Sequence, residues 1–238
     1  MEFLLEAVSV TKRFGGFTAL DELDISISDG ERLGLIGPNG SGKTTFINCV
    51  SGALKNDSGA IKFQGGEISK LAAHKRIRLG IARSFQIPKP FKSMTVRENL
   101  LIPYEFGVQA LKSNAAKTPD EVLSLMGLNG KSDENVGNLT QVELRKLELA
   151  RAVAADPKLL ISDEAMAGLS GAEVDDILEI LFLLNERGIT IIMIEHIMRA
   201  VMEFSDRIVV LDAGKKIADG KPKAIAQNVR VQQAYLGV

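Results

Sequence analysis

The stretch GPNGSGKTT at 37–45 constrains this chain more than any other part of it. Its first eight residues fit G-x-x-x-x-G-K-[ST], in which small residues let the backbone curl until several N–H groups converge on one point. The helix after it adds its positive end to the same point. Read this way, Gly37, Pro38, Asn39, Gly40, Ser41 and Gly42 form a cradle for phosphates, and Lys43, Thr44 and Thr45 line it. Lys43 reaches the β- and γ-phosphates of a nucleotide, and the Thr44 hydroxyl ligates Mg²⁺. The alternative is an ordinary glycine-rich turn before a helix. A buried strand, ERLGLIG at 31–37, leads in and a helix over about 42–53 leads out, which is the context a cradle requires.

A cradle alone does not separate kinases, GTPases and transport or motor ATPases. The sheet must also supply an acid for the metal, and LLISDE at 159–164 does so. Asp163, at the end of an apolar strand, holds Mg²⁺ through water, and Glu164 beside it deprotonates the attacking water. Acids at a helix start are the bland alternative. His196 ends another apolar run, IIMIEH, and a parallel sheet places that end on the same edge as Asp163, where its imidazole contacts the γ-phosphate. Gln86, in SFQ, lies between a strand and a helical stretch; its amide oxygen suits Mg²⁺ while its backbone moves with the helical stretch. A kinase is disfavoured, since no acceptor-binding lid is apparent.

Composition removes other classes. The net charge is −1, so no broad basic field serves nucleic acid. Cys49 is the single cysteine, which rules out a disulfide framework and reads as a small buried hydrophobe. The N-terminus MEFLLEAVSV lacks a basic region leading into an apolar run. Apolar stretches such as ITIIMI fall short of the ~20 residues that span a bilayer. These features predict a cytoplasmic chain, with any membrane part supplied by other chains.

Strands are expected over 3–10 and 23–28, in a hairpin at GAIKFQGGEI, and at 81–86, 158–165, 189–196 and 206–212. The last three are compact apolar runs beside helical segments, which predicts a largely parallel sheet covered on both faces. Residues from about 95 to 155 read as helical with no convincing strand, an all-helical subdomain inserted into the sheet domain. A hairpin and one or two short helices close the chain.

In their order, Phe14, GPNGSGKTT, Gln86, LTQVE (139–143), LLISDE, AGLS (167–170) and His196 resemble the ATP-binding subunits of ABC transporters, over essentially the whole chain. RFGGFTALDELD, ARSFQIPKPFKSMTVRENL, IEHIMRAVME, DRIVVLDAGKKIADG and AYLGV are most similar to the ATPases of branched-chain amino-acid importers. Urea and short-amide importer ATPases and a lipopolysaccharide-export ATPase share much of this. The resemblance implies an α/β fold: a P-loop ATPase sheet domain with an antiparallel N-terminal β-subdomain and an inserted all-helical subdomain. A single ABC ATPase domain spans 1–238, its core lobe being 1–86 and 156–238 and its helical subdomain 87–155. It also implies ATP and Mg²⁺, adenine stacked on Phe14, and an ATPase dimer. In that dimer Thr140 faces the partner chain's ATP. Permease subunits, and indirectly a solute-binding protein, are the other partners, with the ATPase on the inner face of the membrane. A soluble, non-transport ABC ATPase and a nucleotide-binding protein without hydrolysis are the other readings.

Three departures from the family stand out. The signature, usually LSGGQ or LSYGQ, is LTQVE: Val142 replaces a glycine and Glu143 brings a negative charge toward a polyanion. Thr140 and Glu143 also form a potential capping box, which engages the Thr140 hydroxyl in its own helix. Ala165 stands where proline is usual after Glu164, and Ser170 where Asp or Asn is usual. With Lys43, Thr44, Gln86, Asp163, Glu164 and His196 intact, the chain is expected to pair with a different ATPase subunit, one of the two sites being weakened.

Overall fold

The computed structural model describes residues 3–85, 87–106 and 118–236. They fall into two compact units, the first formed by residues 1–76 and 190–238 and the second by 77–189.

The first unit begins with β1 (Leu5–Phe14) and β2 (Phe17–Ile27), an antiparallel hairpin closed over Gly15-Gly16. Both strands are longer than their alternation predicts. The register slips between Ala7 and Val10, Val10 and Lys12, and Lys12 and Arg13, and both Ser9 and Glu22 have φ of 47°. Each bulge moves the inward-facing set by one residue, so a strand in space loses its period of two in sequence. β3 (Arg32–Ile36) runs into the glycine-rich loop, and α1 (Lys43–Ser51) comes next, ended by Gly52 in the left-handed region. β4 (Ser58–Phe63) and β5 (Gly66–Glu67) form the expected hairpin and complete an antiparallel sheet of order β2-β1-β4-β5. α2 (Ala73–Leu79) carries the chain into the second unit. Its Arg76 is 1% exposed and donates to the carbonyls of Cys49 and Val50 in the last turn of α1, and to those of Ser69 and Leu71.

In the second unit β6 (Ile81–Ser84) leads to α3 (Val96–Phe106), α4 (Pro119–Leu125) and α5 (Gln141–Val153). β7 (Leu159–Asp163) pairs in parallel with β6, from Ile81↔Leu159 to Ser84↔Ser162, and leads to α6 (Gly171–Glu186). Every residue of β7 is buried, which is why it reads as an unbroken apolar run. α5 packs on β6, β7, α3 and α4. Capping boxes open α4 (Thr118 with Glu121), α5 (Thr140 with Glu143) and α6 (Ser170 with Glu173).

The chain returns to the first unit with β8 (Thr190–Ile194), α7 (Met198–Phe204), β9 (Arg207–Asp212), β10 (Lys215–Gly220), α8 (Pro222–Ala226) and α9 (Val229–Leu236). β3 lies between β8 and β9, parallel to both, and β10 is antiparallel to β9. A Cβ on Gly34 would lie 2.6 Å from the Ser205 hydroxyl and 3.0 Å from Val201, so a bare glycine lets α7 lie directly on β3. No helix among the described residues is long and apolar enough to cross a membrane.

Candidate functional site

The loop between β3 and α1 is held in one shape by its glycines and its lysine. Gly37 has φ of 152°, and a Cβ there would sit 2.1 Å from the Leu211 carbonyl oxygen, inside any permitted contact. Gly42 has φ of 105°, with the Ala19 carbonyl oxygen 2.7 Å from a Cβ position. Lys43 is 6% exposed and turns back on the loop, its ammonium donating to the carbonyls of Gly37 at 2.7 Å and Pro38 at 3.0 Å. The Ser41 hydroxyl is buried with no hydrogen-bond partner among the described residues. α1 has no side-chain cap and no acid in its first turn, so its N-terminal N–H groups keep their affinity for an anion. Thr44 is exposed at its start and Thr45 half-buried.

The turn between β9 and β10 braces this loop. Gly214 donates its N–H to the Ser41 carbonyl at 3.0 Å, and its own carbonyl accepts from the Asp21 N–H of β2 at 3.0 Å. At the far end of β2 the hairpin tip carries Phe14, 48% exposed, and across from it Phe17, 60% exposed. Lys12 lies 5.4 Å above the Phe14 ring. Phe14 is thus a displayed ring and not a core residue. Phe17 escapes sequence reasoning, since a lone aromatic after a turn has no distinguishing context. His196 is exposed two residues past β8. Gly34 is level with Met193 in the parallel β3–β8 pair, so His196 leaves the sheet at the edge where Gly37 does.

Asp163 and Glu164 belong to the second unit. Asp163 is the last residue of β7 and 5% exposed; Arg83 of β6 donates to its Oδ2 at 2.5 Å. Glu164 is half-buried and has φ of 48°, a conformation that costs a non-glycine residue of order 1–3 kcal/mol and concentrates at functional sites. Ala165 is buried and Ala167 donates its N–H to the Glu164 carbonyl, closing the turn. Arg145 of α5 donates to the Ala167 carbonyl at 3.2 Å, so α5 is tied to this turn. Gln86 lies outside the described residues.

The capping box of α5 forms as its sequence predicts. The Thr140 N–H donates to Glu143 Oε2 at 2.8 Å, and the Thr140 hydroxyl accepts from the Glu143 N–H at 3.4 Å. Lys131, which sequence reading missed, stands 3.0 Å from Glu143 Oε1. The Thr140 N–H and, more weakly, Lys131 hold the Glu143 carboxyl below its ordinary range. Its charge is therefore matched within the same chain. Ser170 is likewise engaged as the cap of α6, its hydroxyl and N–H both donating to Glu173.

Further along α5, Arg151 donates to the Lys89 carbonyl at 2.9 Å, pairs with Glu148 and covers the Phe91 ring at 5.2 Å. Among the described residues no group of three or more acids, histidines or cysteines could hold a metal by itself. The donors expected for Mg²⁺, the Thr44 hydroxyl and the Asp163 carboxylate, are hard oxygens. Each is of the donor type that suits an ion keeping several of its waters.

A phosphate cradle after a buried parallel strand, with an acid pair ending a second one, defines a P-loop nucleotide-binding protein. Comparison with known proteins makes this specific. The ABC transporter family model matches residues 20–167, and that of the branched-chain amino acid ATP-binding cassette transporter matches residues 215–238. The chain belongs to the ABC transporter ATP-binding cassettes. It is 38% identical to a probable branched-chain amino acid transport ATP-binding protein LivG of Archaeoglobus fulgidus, covering 98% of this chain and 95% of that one. It is 35% identical to the high-affinity branched-chain amino acid transport ATP-binding protein BraF of Pseudomonas aeruginosa, covering 98% of each. A nucleotide-free ATP-binding cassette from an ABC transporter superposes with a TM-score of 0.88 at 32% identity, covering 100% of both chains.

Proposed function

We propose that the chain binds and hydrolyses ATP to power import of branched-chain or other hydrophobic amino acids through separate membrane subunits. The observation that carries this is the cradle at 37–45, closed around Lys43 and containing the unpartnered Ser41 hydroxyl, in a chain whose relatives are named for that transport. The Lys43 ammonium leaves the carbonyls of Gly37 and Pro38 for phosphate oxygens. Thr44, Asp163 and Gln86 hold Mg²⁺, which when bound neutralises charge on the phosphates. Glu164 takes the proton of the attacking water, and the His196 imidazole positions that water against the γ-phosphate. Phe14 stacks on adenine, and Phe17 extends the same surface.

Two such chains, or this chain and a second ATPase, enclose each nucleotide between one cradle and the other chain's α5. The weak half of that arrangement is here. Thr140 already accepts a bond from its own helix, and Val142 puts a branched side chain where glycine allows close approach. The Glu143 charge counts for less than its sequence position predicts, because Lys131 balances it. These features support a heterodimer in which this cradle and Glu164 complete the active site.

Residues 87–155 act as the moving helical part on the cytoplasmic face of the membrane, and 87–99 meet the membrane subunits. Ile87 at 69% and Phe91 at 42% exposed supply apolar contact, and Arg151 with Glu148 passes displacement of Lys89 to α5. Light scattering of Glu164→Gln protein with ATP is the test. A monomer that binds ATP, and dimerises only when a second ATPase chain is added, is the expected result. A dimer of this chain alone refutes the weakened signature. Retention of ATP binding by Lys43→Ala refutes the nucleotide reading itself.

A further inference from the structure

Asp163 poses a problem in the nucleotide-free chain. A carboxylate 5% exposed needs a positive partner, because an unpaired charge is costly to bury. A metal that arrives with its nucleotide is not a permanent partner. β6 supplies one. Arg83 is level with Ile161 in the parallel pair, and Asp163 lies one pleat further along the same face of β7. An arginine side chain spans that distance, and its guanidinium meets Asp163 Oδ2 at 2.5 Å. The side chains are 13% and 7% exposed, so water screens the pair little. The guanidinium also faces the Phe85 ring at 5.3 Å. Phe85 is 48% exposed, a perch that keeps hold of the cation if the carboxylate lets go.

We infer that Arg83 is the resident counter-ion of Asp163, in competition with Mg²⁺, and that it sets the Mg²⁺ concentration at which the nucleotide site fills. The inference rests on the reading of Asp163 as a metal-holding residue. Two cations on one carboxylate repel each other, so the bound metal weakens the guanidinium's hold and the guanidinium raises the metal's requirement. Arg83 is here a positioning residue, acting through Asp163.

The test is a Mg²⁺ titration of binding of a fluorescent ATP analogue to wild-type, R83M and R83K proteins. Affinity without divalent ions is expected to agree within about twofold, because the phosphates and base meet other residues. Half-saturating Mg²⁺ should fall about tenfold in R83M, the scale of one charge-assisted hydrogen bond released, and stay within about threefold of wild type in R83K, which keeps the charge. An unchanged or raised Mg²⁺ requirement in R83M overturns the inference. D163N separates the two claims. Loss of the Mg²⁺ response there with R83M unchanged sinks the role of Arg83 and leaves the metal reading intact. A wild-type response in D163N sinks both. Should R83M fail to fold, wild-type protein answers by nitrogen-15 NMR. The Arg83 Nε–H signal, assigned by its loss in R83K, is expected to shift on adding Mg²⁺ to the ATP complex. No movement on adding Mg²⁺ refutes displacement.

Discussion

Replacing Arg76 by methionine should destabilise the phosphate-binding helix from its far end. Among the described residues Arg76 pairs with no carboxylate; its partners are four carbonyl oxygens at 2.5–3.1 Å. Two of them, on Cys49 and Val50, belong to the last turn of α1, where carbonyls have no partner within the helix and where a cation favours the dipole. Burial pushes the guanidinium's pKa down without discharging it. Methionine fills similar volume and donates nothing. Each buried carbonyl left unmet costs about 1–3 kcal/mol, and removing a buried charge recovers part of that, for a net loss of about 3–5 kcal/mol. Against a typical total of about 5–15 kcal/mol this leaves a folded but fragile protein. Urea unfolding monitored by circular dichroism measures the difference, with the slope against denaturant checked for constancy. Lysine at the same position should recover less than half, since one ammonium cannot reach four divergent carbonyls. A loss in R76M below about 1 kcal/mol would mean that the carbonyls find other donors, and the capping argument would be wrong.

Cys49 is fully buried and its thiol is pushed up to about 11, chiefly by desolvation, so iodoacetamide at pH 8 should leave it unmodified until the protein unfolds. Rapid labelling of native protein, read by mass spectrometry, would contradict the packing around α1. Glu143 is held below its ordinary range, so it adds stability at neutral pH that is lost as pH falls through its lowered value. Wild type should therefore exceed Glu143→Gln by about 1 kcal/mol or less near pH 7, with the gap closing below about pH 4. A gap that persists in acid, measured by melting, would assign the effect to geometry. Arg151→Gln should leave ATP binding within about twofold, because the residue lies on the face of α5 that holds Lys89, while lowering stimulation of ATPase by the membrane subunits at least about threefold. Unchanged stimulation would remove that link from the coupling route.

Legibility in the sequence depends on whether the signal is local. The cradle at 37–45 is contiguous, each residue type answering to one backbone requirement, and the strand and helix flanking it lie where expected. The capping box of α5 is four residues long and forms as its sequence predicts. The hairpin strands run past their expected ends because their bulges erase alternation. The Arg83–Asp163 pair joins residues 80 apart through strand register, which no periodicity reports. Lys131 reaches Glu143 across two short turns, so a charge that looks unfavourable along the sequence is matched in space. Ser170 reads as a departure at a distant site until its local duty as a cap is seen.

The brace at Gly214 has a consequence for what the chain can discriminate. One peptide unit's width of backbone joins the phosphate loop, through Ser41, to β2, through Asp21, and β2 ends at the tip that displays Phe14 and Phe17. On the proposed reading, with the base at the tip and the phosphates in the loop, the two form the jaws of a caliper braced by main-chain bonds that most side-chain substitutions leave untouched. Such a caliper grades ligands by length. On that reading a nucleotide with too few phosphates engages the tip and leaves the loop open.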